Sequence, residues 1–275
     1  MNPLAEIIEW PSRSDAAPLA DNDIHVWATV LATPANILEG FARNLSPDET
    51  ARANKFKFEK HRNRYIAGRG ALRAILGRYL GAGPADLRFI YSDNGKPALA
   101  EEFADAGIHF NLAHTGELAL LAVTRIGTVG VDVESVRPVK NVDELVARFF
   151  SKRENELFQK VPDKDKPAAF FNLWTRKEAL LKATGEGITR SLSLVEVSFL
   201  PGEPARLMAI SGDAAAGQKW RLREIIPGAG FTGAVAVELG TSNIEHRTPN
   251  VEEGKTGDGL RVRCWKWASE SPQPR

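Results

Sequence analysis

GVDVE, residues 130–134, comes after the apolar run LALLAV (118–123) and the turn-like stretch TRIGT (124–128). This order predicts a buried strand whose end carries two acids. Because side chains alternate along a strand, Asp132 and Glu134 share one face and stand side by side near the rim of a hydrophobic layer. Two neighbouring carboxylates repel each other unless a positive charge lies between them. The stretch therefore predicts a place where the fold needs a cation.

The predicted helix WTRKEALLKATGEG (174–187) offers charges of both signs. Trp174, Glu178 and Lys182 are spaced by four residues and line one edge, where the apolar stripe meets solvent. Lys177 falls closer to the middle of the apolar face, so its ammonium must extend to solvent or find an acid. Taken alone, the pattern favours an ordinary amphipathic helix whose Glu-to-Lys pair contributes about 0.3 kcal/mol.

Joined to the acidic strand and to a basic segment elsewhere, this helix completes the parts of a magnesium site that holds phosphates. Mg²⁺ prefers an octahedron of oxygens from carboxylates, phosphates and water. Such an ion would also remove the repulsion between the two strand carboxylates.

Composition limits the other classes of site. The chain has 275 residues, 43% apolar and 26% charged, which is ordinary for a globular protein of one large domain or two small ones. No window approaches the roughly 18 apolar residues of a spanning helix, so we expect a cytoplasmic protein with no membrane partner. Cys264 is the only cysteine, and the five histidines lack metal-ligand spacing, so any metal binds to oxygen.

Positive charge is concentrated in the first half of the chain. One acid, Glu59, stands among nine basic residues, namely Arg52, Lys55, Lys57, Lys60, Arg62, Arg64, Arg69, Arg73 and Arg78. Such a run either forms a solvated helix face or contacts polyanions, which could be nucleic acid or a phosphorylated small molecule.

The chain alternates helices with short strands of antiparallel type, which predicts an α+β protein of two similar lobes, each a small antiparallel sheet packed with helices. SPDE (46–49) has the form of a capping box and opens a helix running to about residue 60. We expect four parts: an extended leader at 1–22, an N-terminal lobe at 23–126, a C-terminal lobe with the metal site at 127–240, and a polar C-terminal extension at 241–275. Within that extension, LRVRCWKWA (260–268) adds a strand or docks against the body.

Several motifs together resemble the 4'-phosphopantetheinyl transferase superfamily, in particular its two-lobed, surfactin-synthetase-activating type. They are GVDVE, RFFSKRE (148–154) and WTRKEALLKATGEGI (174–188), preceded by SPDETARANKF, HRNRYIAGR, GKP and FNLAHT. The resemblance covers about residues 24–240. It implies a monomer with its active site between the lobes, and Mg²⁺-dependent transfer of the phosphopantetheine arm of coenzyme A to a serine of an apo carrier protein, with release of adenosine 3',5'-bisphosphate.

The resemblance also implies roles for individual residues. Asp132, Glu134 and Glu178 would bind Mg²⁺, and Lys182 would contact the pyrophosphate. From the chemistry of the transfer, Glu178 is also the candidate general base, either directly or through a metal-bound water. The residues implied to contact coenzyme A phosphates are Arg52, Arg64, Lys96, His114 and Lys182, and Glu154 matches a recurrent acid. The family usually has serine where this chain has Ala113, so a side-chain contact to the 3'-phosphate of coenzyme A is either missing or supplied by Thr115.

Two other functions remain open from the residues themselves. A Mg²⁺-dependent phosphodiesterase or nuclease also uses paired carboxylates, a lysine and a basic groove, although such enzymes commonly need a second metal ion and no further acidic cluster clearly supplies it. A non-catalytic polyanion-binding protein would gain nothing from carboxylates placed beside its phosphates. The sequence therefore favours an enzyme that does not bind nucleic acid.

Overall fold

The computed structural model describes residues 8–185, 192–239 and 259–268. Its strands are β1 (Ser12–Arg13), β2 (Asp23–Val30), β3 (Phe89–Tyr91), β4 (Pro97–Leu99), β5 (His109–Thr115), β6 (Leu118–Thr124), β7 (Val129–Ser135), β8 (Val195–Val197), β9 (Leu207–Ile210), β10 (Trp220–Ile225), β11 (Phe231–Glu238) and β12 (Arg261–Trp267). Its α-helices are α1 (Ala35–Arg43), α2 (Pro47–Asn54), α3 (Glu59–Leu80), α4 (Val142–Phe149), α5 (Lys152–Phe158) and α6 (Lys166–Thr184). None of these helices is long and apolar enough to cross a membrane.

Two sheets form the centre of the molecule. The first has the order β1-β12-β2-β6-β5 and the second the order β10-β11-β7. The hairpins β3-β4 and β8-β9 lie outside them. The predicted α+β class with two lobes is confirmed. The first sheet is mixed, however, because β12 runs parallel to both of its neighbours, β1 and β2.

The two sheets pack face to face, and a helix covers the outer face of each. Along β2, Ile24, Val26 and Ala28 belong to the core between the sheets, whereas Trp27 points to the opposite side, toward α3. Along β11, residues 235 and 237 face the inter-sheet core and residues 234 and 236 face the core that includes α6. The layers are therefore α3, first sheet, second sheet and α6, and one shared apolar core joins the two lobes.

Several local predictions hold and others need correction. The helix opened by SPDE ends at Asn54 rather than near residue 60, and its Glu49 accepts the Ser46 N–H at 3.1 Å, as a capping box requires. Helices α3 and α6 both stop at a left-handed glycine, Gly81 and Gly185. The sequence reading missed α1. Residues 261–267 form β12, and the rest of the expected linker, 240–258, lies outside the described residues.

Part of the basic run is structural. Arg69 and Arg73 of α3 are buried and both bind the buried carboxylate of Glu49, with Arg73 Nε 2.7 Å from Glu49 Oε2. Arg73 also donates to the carbonyl oxygens of Pro84 and Leu87. Because a buried charge is stable only when paired and hydrogen-bonded, this cluster fixes α2 against α3 and leaves these two arginines with a packing role.

A buried histidine marks the seam between β2 and β12. His25 is fully buried, its Nδ1 lies 2.7 Å from the Tyr79 hydroxyl, and its Nε2 lies 3.6 Å from Asp23 Oδ2. Asp23 in turn pairs with Arg261 of β12 at 2.7 Å. The Tyr79 hydroxyl accepts the Trp27 indole N–H at 2.8 Å and so has its own proton to donate to His25, which favours neutral imidazole.

The stability of the protein should fall on acidification because of His25. Burial lowers the pKa of His25 to about 4, although Asp23 opposes the shift. In the unfolded state His25 binds a proton near pH 6.5, whereas in the folded state it does so only near pH 4. The contribution of neutral His25 to the free energy of unfolding is therefore complete above pH 6.5 and is lost as the pH falls from 6.5 to 4. Urea unfolding at pH 7 and pH 4.5 should show that His25→Gln removes about 2–3 kcal/mol of the wild-type pH dependence.

His61→Gln provides the control, because His61 is exposed. An unchanged pH dependence in His25→Gln, or an equal change in His61→Gln, would show that burial of His25 is not the cause.

Candidate functional site

The strand β7 presents two different faces. Val129, Val131 and Val133 belong to the core between the sheets, and the alternate positions, including Gly130 and Asp132, face α6. A Cβ added at Gly130 would lie 2.0 Å from the carbonyl oxygen of residue 179 and 2.4 Å from the amide nitrogen of residue 183. Helix α6 therefore rests directly on the strand backbone, and this close approach brings the acids of GVDVE to the helix edge that carries Glu178 and Lys182.

Asp132 forms the central ion pair of the site. Its Oδ1 accepts a hydrogen bond from Lys182 Nζ at 2.5 Å. Its Oδ2 is buried and accepts no hydrogen bond from the residues that the structure describes. Burial raises the pKa of Asp132 to about 6, against the opposing effect of the Lys182 ammonium. The Asp132 carboxylate is therefore desolvated, and only one of its two oxygens is paired with a cation among the described residues. This arrangement is typical of a carboxylate that binds a ligand.

Glu178 lies in the same electrostatic neighbourhood. It is 7% exposed, and within the described ranges its Oε1 has no hydrogen-bond partner. Burial raises the pKa of Glu178, and the charges of Asp132 and Glu134 act in the same direction while Lys182 opposes them. The three predicted metal-binding acids thus influence one another.

The third acid is held by protein donors. Glu134 Oε2 accepts hydrogen bonds from the Thr115 hydroxyl at 3.0 Å and from Arg137 Nη1 at 3.2 Å. In the part of the chain that the structure describes, no three His, Cys, Asp or Glu side chains are gathered closely enough to form a ready metal site. The structure brings the three predicted ligands to one face of β7 and α6 without closing them around a single point.

A cavity of about 310 Å³ lies on the N-terminal side of the site. Its polar lining includes Arg52, Arg64 and His114, three of the predicted coenzyme contacts. Ala113 points away from them into the inter-sheet core, so the side chain at that position faces away from the cavity. The remaining lining residues are Leu31, Phe56, His61, Tyr65, Gly68, Arg69, Tyr91, Gly95, Pro97, Leu112 and Ala119.

Lys96 occupies a different position from the other predicted phosphate contacts. Its ammonium donates to two backbone carbonyl oxygens, Ala183 at 2.8 Å and Val129 at 3.2 Å. The neighbouring Asn94 side chain donates to the carbonyl oxygen of Gly185 at 2.8 Å. Burial lowers the pKa of Lys96 to about 8. The β3–β4 turn therefore holds the end of α6 against the start of β7, and a contact of Lys96 with coenzyme A stays a prediction.

Glu154 of α5 and Lys177 of α6 form a buried ion pair that holds these two helices together. Lys177 Nζ lies 2.5 Å from Glu154 Oε2 and also donates to the carbonyl oxygen of Leu192 at 2.8 Å. Glu154 accepts backbone N–H bonds from Ser151 and Val197, both at 3.0 Å. Lys177, which was expected on the apolar face of the helix, is therefore paired with an acid. Both oxygens of Glu154 accept hydrogen bonds from the protein.

Family models match both halves of the chain. Residues 33–126 match the N-terminal model of 4'-phosphopantetheinyl transferase, and residues 128–236 match the 4'-phosphopantetheinyl transferase superfamily. The 4'-phosphopantetheinyl transferase HetI of Nostoc sp. (strain PCC 7120) is 42% identical over 228 residues, which covers 83% of this chain and 93% of that protein. The chain belongs to the 4'-phosphopantetheinyl transferase superfamily.

Other relatives are more distant. The 4'-phosphopantetheinyl transferase Sfp of Bacillus subtilis (strain 168) is 30% identical over 161 residues, covering 58% of this chain and 68% of that protein. Among solved structures, the holo-[acyl-carrier-protein] synthase of Thermotoga maritima aligns with a TM-score of 0.33 and 23% identity over 42% of this chain and 64% of that one, too low to bear on the fold. The family resemblance inferred from the motifs is confirmed.

Sequence reasoning missed two residues that shape this transferase. Asn111 Oδ1 accepts the Val131 N–H at 2.9 Å and so ties β5 to β7, two strands that share no ladder in the described part of the chain. Glu117, in the β5–β6 turn, binds Arg64 of the cavity at 2.5 Å. Asn111 gives no signal in the sequence, since many strand asparagines face solvent. A single acid directly after AHTG, in a family whose ligand is an anion, could have drawn attention to Glu117.

Replacement of Gly130 tests the close contact of α6 with β7. Gly130→Ala places a methyl group against helix backbone, so α6 must shift, and we expect a stability loss of about 1–3 kcal/mol and a fall in transferase activity of about 10²-fold. Thermal unfolding and transfer rates per folded molecule provide the measurement. Val131→Ala, on the other face of β7, should lose stability while keeping its activity. Full activity in Gly130→Ala would contradict the role of this contact.

The Glu154–Lys177 pair should support folding and leave the chemistry unaffected. Glu154→Gln leaves a buried ammonium without its counter-charge, so we expect a loss of about 3–5 kcal/mol in the free energy of unfolding. Joining it to Lys177→Met should recover part of that loss, and activity per folded molecule should stay within about threefold of wild type in both variants. A stable Glu154→Gln protein without activity would instead assign Glu154 to the reaction.

Proposed function

We propose that this protein transfers the 4'-phosphopantetheine arm of coenzyme A to a serine of an apo carrier protein and releases adenosine 3',5'-bisphosphate. One observation carries the proposal: two buried carboxylate oxygens, Asp132 Oδ2 and Glu178 Oε1, have no partner among the described residues. Lys182 pairs with the other oxygen of Asp132 and acts electrostatically on Glu178. Family membership and the cavity with basic side chains support the same reaction, because together they fit a phosphorylated co-substrate.

The basic side chains of the cavity bind the phosphates of coenzyme A. Arg64 and Arg52 suit this task because a guanidinium group offers a planar fork of donors to phosphate oxygens. Arg52 also lies over the ring of Tyr65 at 5.7 Å, which fixes its approach to the cavity. His114 adds a third polar group at the end of β5. Aromatic side chains on the same wall complete a surface suited to a nucleotide.

The acids fit a divalent metal ion by chemistry and by their unsatisfied atoms. Asp132, Glu134 and Glu178 would bind Mg²⁺, since carboxylate oxygens are the ligands it prefers and two of these acids have a buried oxygen to offer. When bound, Mg²⁺ supplies positive charge that stabilises the diphosphate as it is cleaved. Glu134 keeps its orientation through the Thr115 hydroxyl.

Glu178 and Lys182 perform the proton and charge steps. The serine hydroxyl attacks the phosphorus on the pantetheine side of the diphosphate, the bond from that phosphorus to the bridging oxygen breaks, and the serine proton passes to Glu178. Glu178 has a buried oxygen, Oε1, without a partner among the described residues, and this oxygen is available to receive the proton. Lys182, which pairs with Asp132, neutralises charge on the departing bisphosphate.

The test is mass spectrometry of an apo carrier protein incubated with enzyme, coenzyme A and Mg²⁺. We expect the carrier to gain one phosphopantetheine arm and the bisphosphate to appear in equal amount. Glu178→Gln should fold and lose about 10²- to 10⁴-fold in rate. Glu156→Gln, an exposed acid on α5, is the matched control and should keep wild-type rates.

Removal of metal ions by chelation provides the second arm. Transfer should stop in the chelator and return when Mg²⁺ is added in excess. Carrier modification that persists in the chelator, or near-normal rates in Glu178→Gln, would overturn the assigned chemistry. Cleavage of coenzyme A without any carrier protein would instead indicate a phosphodiesterase.

A further inference from the structure

Arg64, one of the side chains that line the cavity, is already bound to an acid. Arg64 Nη2 donates to Glu117 Oε1 at 2.5 Å, and Lys60 Nζ lies 3.4 Å from the same oxygen. Both partners of the shorter pair are mostly buried, with side chains 23% and 20% exposed. This hydrogen bond raises the pKa of Arg64 and lowers the pKa of Glu117, so both groups are charged. The main phosphate-binding candidate therefore has one of its donors occupied.

The backbone of Glu117 is fixed by a tight turn, and its side chain is held by Arg64 and Lys60. Residues 116 and 117 form the tight turn between β5 and β6, where Gly116 has a φ of +55° and Thr115 pairs with Leu118. The carbonyl oxygen of Glu117 accepts the Leu31 N–H at 2.7 Å. The rigid turn therefore holds the Glu117 carboxylate next to Arg64. Rotation of the side chain alone would move the carboxylate away from Arg64.

An unused donor of Arg64 lies beside the one that Glu117 occupies. Its Nε is buried and, in the residues that the structure describes, donates to no acceptor. A phosphate that engages the Nε and Nη2 fork would share Nη2 with the Glu117 carboxylate, which now accepts from that nitrogen. A carboxylate left in place would also repel the incoming phosphate.

We propose that Glu117 is a built-in competitor for the coenzyme's phosphate at Arg64, released when the coenzyme binds and restored when the bisphosphate product leaves. This inference rests on the proposed function. The exchange keeps Arg64 oriented while the cavity has no ligand, since the ion pair holds the guanidinium in place. It also limits affinity for coenzyme and product alike, because each must displace an ion pair, and so it favours product departure.

The experiment is calorimetric titration of wild type and Glu117→Gln with coenzyme A and, separately, with adenosine 3',5'-bisphosphate at one fixed salt concentration. We expect Glu117→Gln to bind both ligands about five- to tenfold more tightly, which is the size of a partly exposed charged contact. Glu102→Gln, an exposed acid that pairs with Arg88 at 3.5 Å, is the matched control and should bind like wild type.

A double-variant cycle separates exchange at Arg64 from general charge repulsion. In the Arg64→Gln background the Glu117→Gln change should alter affinity less than twofold, because the contact it relieves is gone. Equal tightening in both backgrounds, or unchanged or weaker binding by Glu117→Gln, would overturn the competition. Failure of the wild-type protein to bind coenzyme A at all would overturn the proposed function, and the competition with it.

Discussion

The contact between α6 and the backbone of β7 at Gly130 is the constraint on which the site depends. A helix normally lies about 10 Å from a strand because side chains fill the gap between them. Because Gly130 has no Cβ, the backbone of α6 touches the backbone of β7. The short side chain of Asp132 can then reach Lys182, which lies one helical turn after Glu178. Any wider spacing would leave the acids of the strand and those of the helix in separate environments.

Buried charges in this protein fall into two groups with different physical roles. Glu49 with its arginines, and Glu154 with Lys177, are paired and hydrogen-bonded on every side, as buried charges must be to persist in a stable core. Asp132 and Glu178 differ, since each keeps a buried oxygen that no described residue satisfies. Desolvation without full pairing is costly, and proteins retain it mainly where a ligand or reaction makes use of it.

Much of the fold follows from patterns in the sequence, and the misses share one cause. The apolar run of β6, the alternation of GVDVE in β7 and the acid of the capping box are local signals, and local signals predict elements and their faces. Local signals do not predict which strands pair when they are far apart in the sequence. That β12 would enter the first sheet in parallel, beside β2, requires pairing over more than two hundred residues, and no periodicity encodes it.

The same distinction holds at the site. Motif spacing predicted the faces that carry Asp132, Glu178 and Lys182, because the strand and helix periods define those faces. It could not reveal that Lys96 would donate to carbonyl oxygens of α6 and β7. Nor could it reveal that Arg69 and Arg73 of the basic run would pair with Glu49. Charge counts in a sequence do not distinguish cations that face a ligand from cations that neutralise the interior.

The position of β12 between β1 and β2 affects how the protein is made. On a ribosome the N-terminal lobe emerges first, yet the strand that fills its sheet is synthesised after the whole second lobe. Until then β2 presents an unpaired edge, and the indole of Trp27 lacks the two tryptophans of β12 that cover it. The first sheet is therefore completed only after β12 has been made, and until then its open edge can pair with other strands.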